Sequence, residues 1–268
     1  KVFFRSIALC LMLTFTAAPA FSLSDEDIEA SAIQARQYIM AGHYEEAESI
    51  IKDIKTQSRV TNWHYEPYTK FLKNFILFNN PTYLASLDKW IQSDANYADA
   101  YIFRAKYYYD AAWKARGSKF ISATSQKRLA GFNANLTHTI KDTYTAIHWD
   151  NNNPYAYLLL LHIAHDAMGQ EAEQKVFAES TKKFPDYYQF YSLHLSALAP
   201  KWGGSVPQMI MFVSNTVDKL PKTSPLKKLY VDLYFRMAQD FDSNCDTSNR
   251  STQKICEKQM DDLMRSPQ

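Results

Sequence analysis

Scarcity of glycine constrains this chain more than any other feature. Six glycines occur in 268 residues, far below a usual share of about 7%. Sandwiches, barrels and phosphate-cradling loops draw on glycine for tight turns and close backbone approach. A chain this poor in it, 46% apolar and 15% aromatic, is expected to be helical. Its length allows one sizeable core or an elongated array of repeats. Two of the six glycines stand together in the stretch Ala197 to Gln208, which also holds Trp202 and a helix-start signal. That stretch interrupts a long helical pattern and is expected to be the corner on which two helical halves meet. The formal net charge of +2 gives no pointer to nucleic acid.

Residues 1–20 read as a signal peptide. Lys1 and Arg5 form a short basic region, Ser6 to Ala17 is a mostly apolar run, and Ala18-Pro19-Ala20 is a small-x-small cleavage site. The apolar run falls short of the roughly 20 residues of a comfortable membrane span, so no span is expected after cleavage. An uncleaved N-terminal anchor in the inner membrane is the alternative. Cys10 lies in this segment and does not fit a lipoprotein signal, because Leu9 before it is too large. The remaining pair, Cys245 and Cys256, sits in one polar segment. In an oxidising compartment the pair reads as a disulfide, worth roughly 3 kcal/mol in the chain-entropy model. Two free thiols are the alternative. A metal site is disfavoured because no second Cys pair or nearby His completes a ligand set.

Along the chain, helix caps recur. Ser24 precedes Asp25, Glu26 and Asp27, an N-cap with acids where the helix dipole favours them. Ala35, Tyr38, Gly42, Tyr44, Ala47 and Ile51 follow the spacing of a tetratricopeptide (TPR) helix pair, with Gly42 at the turn. Helical pattern runs from Tyr65 to Phe78 and from Tyr83 to Ile91, broken at Asn79-Asn80-Pro81. A second repeat opens at Asp94, and its first helix is aromatic nearly all round through Tyr107, Tyr108, Tyr109 and Trp113, ending at Gly117. A helical insertion is expected from Ser125 to His148. A third repeat opens at Asp150, 34 residues before Phe184, which is the TPR period. Glu173 occupies a position where a small residue is usual, so loose packing is expected there. Tyr187 to Leu198 forms the next helix. Ser205 and Gln208 form a capping box for Val206 to Leu220, with Pro207 tolerated in the first turn. Pro225 starts a helix from Leu226 to Phe241, and a last helix spans about Thr252 to Arg265.

Four further segments carry a resemblance. Trp113-x-x-Arg116-Gly117, Asn153-Pro154-x-Ala156-Tyr157, Phe184-Pro185-Asp186-Tyr187-Tyr188 and Pro200-Lys201-Trp202-Gly203-Gly204-Ser205, in this order, resemble a bacterial helical, TPR-like domain family of unknown function. The likeness covers about Tyr101 to Val213, and the Pro-Lys-Trp-Gly-Gly-Ser element is its most specific piece. It implies a helical repeat fold and a bacterial chain, and no activity. In such a chain the glycosylation triplets at Asn135 and Asn249 carry no meaning.

The expected fold is therefore all-α, a TPR-like right-handed array of antiparallel helix pairs. It divides into the signal peptide (1–20), N-terminal TPR-like helices (21–93), a central domain (94–220) and C-terminal helices with the disulfide (221–268). His162 and His165 share a helix face, but no Glu lies between them and no distant ligand is evident, so they read as structural. No nucleophile elbow, phosphate loop or paired carboxylate stands out, and no enzyme activity, cofactor or metal is expected. Two functional readings lead, ahead of a purely structural envelope component. In the first, an exported periplasmic or secreted protein holds a protein or peptide partner on its concave face, with Tyr101 and Tyr108 exposed to it. In the second, a small anionic ligand, or a reaction, sits at the corner. There Gly203 and Gly204 would present backbone N–H groups before the helix capped by Ser205, beside Lys201, Trp202 and Arg116. The structural counterpart of this second reading, which is favoured, makes Trp202 a buried plug between helix pairs, lets the glycines make a tight turn and leaves Lys201 in solvent.

Overall fold

The computed structural model describes residues 23–60, 66–77, 80–118 and 121–244, and beyond them Lys254 and Lys258 alone. The segment read as a signal peptide, with Cys10, and the Cys245–Cys256 pair lie outside the described residues. Of the expected last helix only Lys254 and Lys258 are described, both helical.

Eleven α-helices follow one another among these residues, without a strand: α1 (Asp25–Ala41), α2 (Tyr44–Val60), α3 (Glu66–Phe75), α4 (Pro81–Ser93), α5 (Ala98–Arg116), α6 (Gln126–Trp149), α7 (Pro154–Ile163), α8 (Gln170–Lys183), α9 (Tyr188–Ala197), α10 (Val206–Val217) and α11 (Leu229–Asn244). Local chemistry sets their ends. The Ser24 hydroxyl accepts the Asp27 N–H at 3.1 Å while Asp27 reaches back to the Ser24 N–H at 3.2 Å, closing a capping box on α1. Gly42 ends α1 in the left-handed region at φ 84°, where a side chain would be strained, and returns the chain into α2. Asn80 and Asn153 cap α4 and α7 by accepting the N–H groups of Tyr83 and Tyr155, each before a proline in the first turn. The expected insertion is α6, and it lies along α5 in the most extensive helix contact of the molecule. The expected helix at Leu226 starts later: Pro225–Lys228 is a 3₁₀ turn leading into α11.

Apolar periodicity decides which faces are buried. Helix α1 buries Ile28, Ala32, Ala35 and Ile39, one stripe at helical spacing. Helix α7 is buried on nearly every side, from Pro154 through Leu161 to Ile163, so it forms the centre of the molecule. Around Phe103 the rings of Tyr68, Phe71, Phe75 and Trp90 close in, with centroids 4.2–6.4 Å away. The large core runs from Ile28 to Phe190. A second core, from Leu195 to Met237, joins α9, α10 and α11.

A charged knot is buried inside the large core. The Asp99 carboxylate, at the start of α5, is 3% exposed. It accepts hydrogen bonds from Lys55 Nζ at 2.8 Å, the Tyr68 hydroxyl at 2.5 Å and Asn153 Nδ2 at 3.4 Å. Lys55 also reaches Asp150 at 3.1 Å. Burial opposes the Lys55 charge, but the two carboxylates outweigh it and hold its pKa above the ordinary lysine value. A second clamp ties α4, α5 and α6: Arg104 bonds Asp142 through two nitrogens at 2.7 Å and Asp88 at 2.8 Å.

Removing the Asp99 carboxylate leaves Lys55, Tyr68 and Asn153 without their shared acceptor. Asp99→Ala is expected to cost about 3–5 kcal/mol in urea unfolding, the cost of breaking a buried pair from one side. A loss below about 1 kcal/mol would show a solvated knot.

Candidate functional site

The two cores do not close completely against each other. Between α3, α7, α9 and α11 lies a cleft of about 410 Å³. Thr69 of α3, Leu158 and His162 of α7, Tyr188, Gln189, Ser192 and Leu193 of α9, Lys228 of the 3₁₀ turn and Arg236 of α11 line it. Among the described residues, three buried polar atoms on these side chains have no hydrogen-bond partner: Thr69 Oγ1, Gln189 Oε1 and Arg236 Nε. A buried group left unsatisfied costs about 1–3 kcal/mol, so three on one cleft mark it as incomplete. The rest of Arg236 is anchored. Its Nη2 donates to the Ser192 carbonyl at 3.2 Å, and Ser192 Oγ donates to Asp232 at 2.5 Å.

His162 faces this cleft with a neutral ring. Burial, and then the neighbouring His165 and Lys106, push its pKa down to about 4. His165 faces elsewhere: its ring meets Trp202 edge-on at 4.5 Å. The α7 helix widens into a π turn over Ala164–Met168, and Asp166 in that turn accepts from Tyr109 at 2.6 Å and Trp113 at 3.2 Å. Burial raises the Asp166 pKa although those two donors and His165 oppose it. His162 and His165 thus serve different surroundings. Among the described residues no group of three or more His, Cys, Asp or Glu side chains could hold a metal ion.

The glycine corner makes the expected tight turn and leaves Lys201 exposed, but it does not bury Trp202. The Gly203 N–H donates to the Pro200 carbonyl at 2.9 Å and the Gly204 N–H to the Ala199 carbonyl at 3.3 Å. Both donors are spent within the turn, so the two glycines form no anion cradle. Gly204 is required by sterics, since a Cβ there would meet the Leu198 carbonyl oxygen at 2.1 Å. Ser205 caps α10: its hydroxyl accepts from the Gln208 N–H at 3.4 Å and donates to the Gln208 side chain at 3.0 Å. Trp202 is no buried plug. It is 41% exposed, lies over His165, and its carbonyl accepts from Gln170 at 3.0 Å. Lys201 is exposed, with its ammonium 5.9 Å from the Trp202 ring centre. Arg116 stacks over Trp113 at 5.0 Å and donates to the Gly117 carbonyl. Its charge acts on Asp166, and among the described residues its ring and hydrogen-bond partners are Trp113 and Gly117, not corner residues.

Tyr101 and Tyr108 are half-buried on α5. The Tyr101 hydroxyl donates to the Ala95 carbonyl at 3.0 Å, and Tyr108 stacks on His138 of α6 at 4.7 Å. Both flank the Arg104 clamp and belong to the packing of α4, α5 and α6. Glu173 also differs from expectation. It is 2% exposed, and both its carboxylate oxygens lie 3.0 Å from His194 Nδ1. The His194 ring in turn stacks on Phe177 at 4.0 Å. The site expected to pack loosely is filled by an acid whose partner comes from the next helix. No family model, curated protein or solved structure matches the chain.

His162 gives the cleft a pH signature. Unfolded, its imidazole titrates near 6.5, and folded near 4, so between these values the unfolded chain binds more protons. The stability it contributes is complete above pH 6.5 and is lost as the pH falls toward 4. Urea unfolding at neutral pH and in the middle of that window should show a shallower loss for His162→Gln than for the parent chain. Equal losses would place His162 in solvent.

Proposed function

We propose that this chain is an exported, TPR-like helical-repeat binding protein that acts by holding a protein or peptide partner, without catalysis. Capped helices that pack against their neighbours in chain order, the 34-residue spacing and the turn at Gly42 support the repeat reading. Among the described residues no helix is long and apolar enough to cross a membrane. The basic, apolar and small-residue segments at positions 1–20 support export into a bacterial envelope.

The observation that carries the binding reading is the cleft. Four helices drawn from both cores line it, and it keeps three buried polar atoms unpaired. The partner surface proposed here is that cleft. Tyr101 and Tyr108 are engaged in helix packing, and the corner glycines have spent their N–H groups, so both are weaker candidates than the cleft.

Site-specific photocrosslinking in the native envelope tests this. A photoreactive residue in place of Leu193 should give a discrete adduct that excess unlabelled chain competes away. The same group in place of Tyr101 should give none. Adducts at Tyr101 alone, or at neither position, would overturn the placement of the partner.

A further inference from the structure

We infer that the cleft between α3, α7, α9 and α11 is a receptor site for an α-carboxylate with a hydrogen-bond donor beside it. This rests on the same cleft as the binding reading and adds the chemistry of its occupant.

Charge selects the ligand's sign and size. Lys228, exposed at the cleft, makes no hydrogen bond or ion pair among the described residues, and Arg236 lines the cleft with a buried, unpaired Nε–H. One carboxylate opposes them: Asp232, held by hydrogen bonds from Ser192 and Tyr188. Two cations against one anion leave room for a single negative charge, which fits a carboxylate better than a doubly charged phosphate. His162 adds no charge at neutral pH, because burial keeps it unprotonated.

The unpaired atoms select the shape. Arg236 Nε–H and the Thr69 hydroxyl are donors, and they suit the two oxygens of one carboxylate. Gln189 Oε1 is an acceptor without a donor. A ligand that satisfies all three must carry an N–H or O–H close to its carboxylate. Leu158 and Leu193 supply apolar wall for a small side chain. Two sources share this chemistry: the C-terminal residue of a peptide, whose own amide N–H lies beside the carboxylate, and a free α-hydroxy or α-amino acid.

Nuclear magnetic resonance on the full mature chain reads the site directly, because the Arg236 Nε–H gives its own signal. The probes are trialanine, trialanine amide, lactate, acetate and inorganic phosphate, each against sodium chloride at equal ionic strength. Trialanine or lactate should shift the Arg236 signal saturably, and more tightly than acetate, which lacks the neighbouring donor. Trialanine amide should match the chloride control. Tighter binding of trialanine assigns a peptide terminus, and equal or tighter binding of lactate assigns a free acid. Thr69→Val, read on the Arg236 signal, and Arg236→Lys, read on the backbone amide signals of α9 because it lacks the Arg236 Nε–H, should each weaken binding by about tenfold or more, the loss of one charge-assisted hydrogen bond. Arg236→Lys keeps the charge, and Thr69→Val keeps the volume.

The inference is overturned if no carboxylate moves the signal beyond chloride, if phosphate binds more tightly, if trialanine amide binds as well as trialanine, or if both variants bind unchanged. Carboxylate binding without a crosslink at Leu193 would instead overturn the protein-partner reading and leave the site standing.

Discussion

A single buried carboxylate organises this molecule. Asp99 is out of water, and an isolated charge there would be prohibitive. It is tolerable because Lys55 of α2, the Tyr68 hydroxyl of α3 and Asn153 at the start of α7 all converge on it. Each partner belongs to a different helical element, so satisfying the charge fixes the relative placement of four helices. Asn153 does two jobs: its carboxamide oxygen caps α7 through the Tyr155 N–H while its nitrogen donates to Asp99. Hydrophobic burial supplies most of the stabilisation, but it is not directional. The knot gives the packing its register.

The cleft follows from that placement. Tyr68, adjacent to Thr69, touches Tyr155 of α7 with ring centres 5.7 Å apart. Both inner walls of the cleft are therefore set by residues next to the knot. The outer walls belong to the second core, where α9, α10 and α11 pack around Leu195, Val213 and Leu233. Where the two cores meet, Arg236 Nε and Thr69 Oγ1 have no hydrogen-bond partner among the described residues, although Arg236 Nη2 is held by the Ser192 carbonyl. A fold that satisfies Asp99 so completely leaves three buried polar atoms unpaired on side chains that line this one cleft.

Much of the helical structure was legible in the residues because its signals are local. The Ser24 cap, the Gly42 turn, the Asn80-Pro81 and Asn153-Pro154 starts and the Ser205 cap each need only a few neighbours in sequence. The Glu173–His194 pair was not legible, since its partners stand 21 residues apart on two helices. The cleft was less so, as neither Thr69 nor Arg236 belongs to any motif. The corner was legible as a turn but ambiguous as a site. Two adjacent glycines before a helix resemble an anion cradle, but here the same backbone N–H groups close a 3₁₀ turn, and Gly204 is required by the Leu198 carbonyl.

The Asp99 knot holds α3 and α7 together and thereby shapes the cleft. Native-state hydrogen exchange of Asp99→Asn against the parent chain tests it most directly. Amides of α3 and α7, including those around Thr69 and His162, are expected to lose protection together while α10 and α11 keep theirs. Loss confined to the first turn of α5 would contradict the claim.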